Sequence, residues 1–131
     1  MTIIPKWDND EKTIINISFH DTWTWEEHQI CVTTGNEMLA SVDYIVDFII
    51  DFRDSSTIPP GALRVGRQLQ MQALPNEGIS VLVGTSPLLH ALFRSFITLY
   101  PRVSLRYFVV NTLEEAYAKI TEIQQKRQDN T

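Results

Sequence analysis

Hydrophobic positions along this chain switch between a period of two and a period near 3.6. The longest apolar stretch, Tyr44-Ile45-Val46-Asp47-Phe48-Ile49-Ile50-Asp51-Phe52, puts Val46, Phe48, Ile50 and Phe52 on one side of an extended strand and Ile45 and Ile49 on the other. Both faces favour leaving water, which predicts a central strand in a sheet with helices on both faces. Ahead of it, Ile3 to Trp7 and Thr13 to Phe19 read as short strands joined by Asp8-Asn9-Asp10-Glu11-Lys12, a polar connection too short for a helix. An antiparallel hairpin that includes the sheet edge is expected there. Thr24-Trp25-Glu26-Glu27 has the form of a capping box and predicts a helix to about Ala40, with Trp25, His28, Val32 and Leu39 on its apolar stripe and Cys31 and Met38 beside it. Gly35 either weakens that helix by about 1 kcal/mol relative to alanine or admits another backbone closely.

Past the central strand, Arg53-Asp54-Ser55-Ser56-Thr57-Ile58-Pro59-Pro60-Gly61 is a polar turn leading into a helical pattern on Ala62, Val65, Gly66, Leu69 and Ala73. Pro75-Asn76-Glu77-Gly78 stops that helix, and Ile79 to Gly84 forms another buried strand. Thr85-Ser86-Pro87 caps a helix whose apolar stripe is Leu89, Leu92, Phe93, Phe96 and Tyr100, with His90, Arg94 and Thr98 on the solvated side and Pro101 at its end. Arg106 to Val110 is the last strand. A second capping box, Thr112-Leu113-Glu114-Glu115, opens a final helix with Glu115–Lys119 and Glu122–Lys126 spaced for surface pairs, and from about residue 124 a polar tail is expected to fray. With no internal repeat or linker, residues 1–131 read as one α/β domain of order ββαβαβαβα. Right-handed crossovers then give a single mixed, mostly parallel sheet with helices on both faces.

Composition narrows the function classes. A net charge of −5 argues against nucleic-acid binding, which needs a basic face. The single cysteine, Cys31, excludes an intrachain disulfide and points to a reducing cytoplasm. No signal-peptide pattern opens the chain, and no apolar run reaches the ~18 residues of a membrane span, so a soluble protein is expected.

The element order, the segment from Val46 to Phe52, the turn through Gly61, and Gly78 to Gly84 followed by Ser86 resemble the STAS domains (sulfate transporter and anti-sigma-factor antagonist). Within them the pattern is similar to a bacterial branch grouped by fold with CRAL-TRIO-type lipid-binding domains. The resemblance implies a STAS-like fold and a non-enzymatic regulatory or protein-interaction module. Antagonists of that family are phosphorylated on a serine in an Asp-Ser-Ser-Gly motif at the start of the helix after the central strand. Here that place reads Ile58-Pro59-Pro60-Gly61, and proline carries no hydroxyl, so the usual phosphoserine switch is not expected. Ser55 and Ser56, a few residues upstream, are the alternative acceptors; otherwise they supply turn hydrogen bonds.

Catalytic chemistry finds little footing. Asp47 and Asp51 share a strand face, but four residues of rise separate them by about 13 Å, too far for a carboxylate pair. A receiver-type phosphoacceptor at Asp51 lacks a lysine after the last strand, and Asp51 is instead expected to accept from turn amides. His20, His28, His90 and Cys31 show no metal-ligand spacing, with His28 read as a satisfied, partly buried histidine. No nucleophile elbow or phosphate-binding loop occurs, so no enzyme, metal or cofactor is expected. Arg53, Ser55, Ser56, Gly61, Thr85 and Ser86 gather at the carboxyl end of a parallel sheet and outline a crevice for a small anion or lipid headgroup. Joint exposure of Trp23 and Tyr100 would indicate a homodimer or partner interface. A tightly filled core with an exposed apolar helix face favours a protein-interaction module; a large apolar pocket favours a carrier or sensor of a small anionic or lipid-like ligand.

Overall fold

The computed structural model describes residues 3–55, 57–71 and 73–130, with the side chains of all but residues 69–71, 103 and 104. The two amino-terminal apolar runs pair as the expected hairpin: β1 (Ile4–Trp7) lies antiparallel to β2 (Ile14–Asp21), with Trp7 opposite Ile15. Asn9 closes the connection by accepting from the Thr13 amide at 3.0 Å. Three further strands, β3 (Val46–Ser55), β4 (Glu77–Val83) and β5 (Tyr107–Val110), add in parallel, giving one sheet of order β1-β2-β3-β4-β5.

That strictly sequential order decides where the helices go. Helices α1 (Trp25–Ala40), α2 (Ala62–Met71) and α3 (Pro87–Leu99) each carry the chain one strand further in the same direction. Right-handed crossovers that never reverse direction place all three on one face. Helix α4 (Leu113–Asp129) follows the last strand and covers the other, where Ala116 and Ile120 pack with Ile49, Val81 and Val83. On the first face Cys31 and Leu39 of α1 pack against Ile15, Ile17 and Phe48. The protein is thus α/β, a single mixed sheet of five strands and four helices in the order ββαβαβαβα.

Several local expectations are corrected. Tyr44 and Ile45 precede the central strand and are 40% and 46% exposed. The Asn76 amide shapes this entry by donating to the carbonyls of Leu39 at 3.0 Å and Tyr44 at 3.1 Å. A short 3-10 turn, Pro101–Leu105, separates α3 from β5. On α4 the surface pair is Lys119–Glu122 at 3.1 Å, since Glu115 is engaged with Thr112 at the helix cap.

The carboxyl-terminal end, read as a fraying tail from about residue 124, is helical to Asp129. Its anchor is Asp47, a fully buried carboxylate on the α4 face of β3. Asp47 Oδ1 accepts from Arg127 Nη2 at 2.7 Å and from the Ile79 amide at 2.9 Å, while Oδ2 accepts from Arg127 Nη1 at 2.9 Å and Gln124 Nε2 at 3.2 Å. Charge-assisted, bidentate hydrogen bonds of this kind compensate the desolvation that an isolated buried carboxylate would suffer. Gly78 leaves the passage for them: a methyl there would collide with Asp47 Oδ1 and crowd Arg127 Nη2 to 2.8 Å.

Candidate functional site

On the three-helix face α1 packs onto the sheet, but α2 and α3 are not closed down onto it. No described side chain of α2 is fully buried, and in α3 only Leu89 is; Leu92, Phe93 and Phe96 are half-buried. Beneath them lies a cavity of about 230 Å³, its lining predominantly apolar. Phe48, Ile50, Phe52 and Leu82 form its floor; Leu63, Val65, Leu92 and Phe93 its roof; and His28, Val32 and Gly35 of α1 one side. Gly35 explains itself only here. It is buried and borders the cavity, yet a Cβ built on it meets no atom within 4 Å, so no backbone approaches it closely.

At the carboxyl end of β2 and β3 the wall is an aromatic cluster. Phe19 stacks on Phe52 at 4.6 Å and meets Trp23 edge-on at 4.6 Å; Trp25 stands edge-on to Trp23 at 5.0 Å and to His28 at 5.2 Å. Trp23 Nε1 donates to Ser55 Oγ at 2.9 Å and Trp25 Nε1 to the Pro60 carbonyl at 2.6 Å, which fixes both rings and ties α1 to the turn before α2. Gly61 completes that turn with φ +93°, a conformation that other residues adopt only at a cost. The His28 ring makes no hydrogen bond with the described residues; burial lowers its pKa to about 4, so it is neutral at neutral pH. Burial likewise pushes the Cys31 thiol up to about 12, where it stays protonated and a poor nucleophile.

The opposite end, between β4 and β5, is polar. Ser80, 5% exposed, and Tyr107 are paired across the two strands and both border the cavity, and neither hydroxyl has a hydrogen-bond partner among the described residues. Glu77 lines the cavity beside them and pairs with Arg106 at 3.4 Å. Burial raises the Glu77 carboxyl against the pull of Arg106, and burial with the nearby Glu77 charge pushes Tyr107 up to about 12.

The residues singled out at the carboxyl ends of the strands are largely engaged elsewhere. The Arg53 guanidinium forks onto Asp51, Nε to Oδ1 at 3.0 Å and Nη2 to Oδ2 at 2.8 Å, and the Arg53 amide adds a third bond at 3.0 Å. Burial works to raise Asp51, but the hydrogen bonds and charge of Arg53 outweigh it and hold the carboxyl below its ordinary value. Ser55 accepts from Trp23 and donates to the Thr57 carbonyl at 2.8 Å. Ser86 caps α3 by accepting from the Leu89 amide at 3.4 Å, Thr85 is exposed, and Ser56 lies outside the described residues. A sheet wound in one direction also has no topological switch point, the feature that opens a ligand crevice at the strand ends of doubly wound folds.

Two further side chains bear on the sequence reading, Trp23 and His90, the second less solvated than its helix face suggested. Trp23 is 6% exposed, so it offers no joint surface with Tyr100. His90 is half-buried, with Nε2 2.8 Å from the Gly84 carbonyl, a bond that requires the Nε2–H form. Among the described residues no group of three or more His, Cys, Asp or Glu is arranged to hold a metal ion, and no helix is long and apolar enough to cross a membrane.

No family model, curated protein or solved structure matches the chain. The chemistry of the site is therefore read from its own geometry.

Proposed function

We propose that this chain is a non-catalytic ligand-binding module, a carrier or sensor that takes a small apolar or amphipathic molecule between α1, α2, α3 and the sheet. The observation that carries this reading is the apolar cavity of about 230 Å³ beneath α2 and α3, where the described inward side chains other than Leu89 stay half-buried. Interiors normally pack without voids much larger than a water molecule, and a binding pocket is expected to be concave, mostly apolar and furnished with a few polar groups. A ~150 Å³ apolar cavity holds benzene, so this one scales to about nine or ten non-hydrogen atoms. In the enzyme-like direction, the neutral His28 and protonated Cys31 supply no activated nucleophile. In the anion-binding direction, Arg53 is already neutralised by Asp51.

Naphthalene, titrated into labelled protein, is expected to shift the NMR signals of Ile17, Leu82 and Leu92 and to stabilise the fold by about 2.7 kcal/mol at a hundredfold excess over Kd. Gly35→Leu, which projects a side chain into the cavity, is expected to abolish both effects. If the naphthalene response were absent, or survived the plug, the cavity would not be a binding site.

A second reading, a STAS-type cytoplasmic module acting through a protein partner, draws on the element order and on Leu88, Leu99 and Leu105 at 50%, 58% and 74% exposure along α3 and the 3-10 turn. The two readings are compatible if ligand uptake moves α3.

A further inference from the structure

The polar end of the cavity specifies the ligand further, granted that the cavity is a ligand site. Ser80 projects its hydroxyl from the middle of a buried strand, a position where a polar group is normally satisfied, and finds no partner among the described residues. Tyr107 is its neighbour on β5, and paired residues on adjacent parallel strands stand about 4.8 Å apart. Two residues whose hydroxyls can each donate and accept thus border the apolar chamber from paired positions on neighbouring strands. The phenol is protonated at neutral pH, and burial with the nearby Glu77 charge pushes its pKa further up, to about 12.

Charge decides what they are suited to. The cavity lining includes no lysine or arginine; its ionisable groups are His28, Cys31, Glu77 and Tyr107. His28 is neutral at neutral pH, and the Glu77 charge is compensated by Arg106 at 3.4 Å. A carboxylate, sulfate or phosphate entering here would lose its hydration with no cation to replace it. Shape narrows the choice further. The walls carry the rings of Phe19, Trp23, Trp25, Phe52, Phe93 and Phe96, surfaces that favour offset or edge contacts with another flat ring.

We propose that the cavity takes an uncharged aromatic compound of about two fused rings with one hydroxyl or comparable hydrogen-bonding group, which Ser80 and Tyr107 hold together.

Three probes of one shape separate the components: naphthalene, 2-naphthol and 2-naphthoate, each titrated into the full chain and followed by NMR shifts and by the fluorescence of Trp23 and Trp25. The expected order is 2-naphthol tightest, naphthalene about fivefold to tenfold weaker for want of the hydrogen bonds, and 2-naphthoate weakest. Ser80→Ala and Tyr107→Phe each remove one oxygen, and each is expected to lower 2-naphthol affinity about fivefold while leaving naphthalene unchanged. The substitutions are independent, so either folded variant gives the result. If naphthalene binds but 2-naphthoate equals 2-naphthol, or if both variants bind 2-naphthol as the parent does, the head-group assignment fails while the cavity reading stands. If none of the three binds, both are overturned.

Discussion

Asp47 is the side chain on which the α4 face depends. It is fully buried, takes hydrogen bonds from Arg127, Gln124 and the Ile79 amide, and joins the centre of the sheet to the last turns of the chain. Removing one partner of a buried ion pair leaves the other uncompensated, at about 3–5 kcal/mol. Asp47→Ala is expected at the lower end of that range, because Arg127 is partly exposed and can regain water. Urea midpoints of Asp47→Ala, Arg127→Ala and the double variant should be non-additive, the double costing clearly less than the sum; additivity would deny the coupling. His28 gives a pH signature. Its folded pKa of about 4 lies below the ordinary 6.5, so the unfolded chain binds the proton more readily. Its contribution is complete above pH 6.5, falls as the pH drops from 6.5 to 4, and changes no further below that. The loss is up to about 3 kcal/mol at 1.36 kcal/mol per pKa unit. Glu77, raised by burial, works in the opposite sense, so the measurable quantity is the difference in pH dependence between the parent and His28→Phe. Equal slopes over that interval would show that His28 titrates normally.

At the scale of the element, α1 carries most of what distinguishes this chain. Its capping box forms as the sequence specifies, with Thr24 Oγ1 accepting from the Glu27 amide at 3.2 Å and Glu27 Oε1 accepting from the Thr24 amide at 3.1 Å. Both partners lie within four residues, so local chemistry suffices. Gly35 does not follow from local chemistry, since a glycine inside a helix costs about 1 kcal/mol relative to alanine. Gly35→Ala is expected to raise stability by about that amount, because the new methyl meets nothing within 4 Å, and to weaken naphthalene binding by narrowing the cavity. A thermal melt with a naphthalene titration checks both; a destabilised variant would mean that the glycine serves backbone geometry instead. The α2 and α3 stripes were also legible, yet their described side chains other than Leu89 are no more than half-buried. An apolar stripe shows which side of a helix avoids water, not how far from the sheet it comes to rest.

For the whole molecule, the doubly apolar segment, the capping boxes, the turn residues and the order of elements were sufficient for the α/β class and its mixed sheet, because each signal acts over a few neighbouring residues and crossover handedness restricts their assembly. Three features depended on the tertiary structure alone. One-directional winding gathered three helices on one face, and the cavity beneath them is bordered at the strand ends by Phe19, Trp23 and Phe52, with Arg53, Ser55, Thr85 and Ser86 outside its lining. The pairing of Arg53 with Asp51 turned an apparent anion receptor into an internal ion pair. Arg127 reached Asp47 across eighty positions of sequence and made an anchored helix of an apparent tail. An aspartate on a doubly buried strand was the one available signal that a distant cation must exist, but not which one. The sequence by itself determined where water is avoided and where helices begin and end, since those are short-range free energies. Only the tertiary structure decided which charges meet and where packing stops short, because both depend on distances between segments that sequence spacing does not encode.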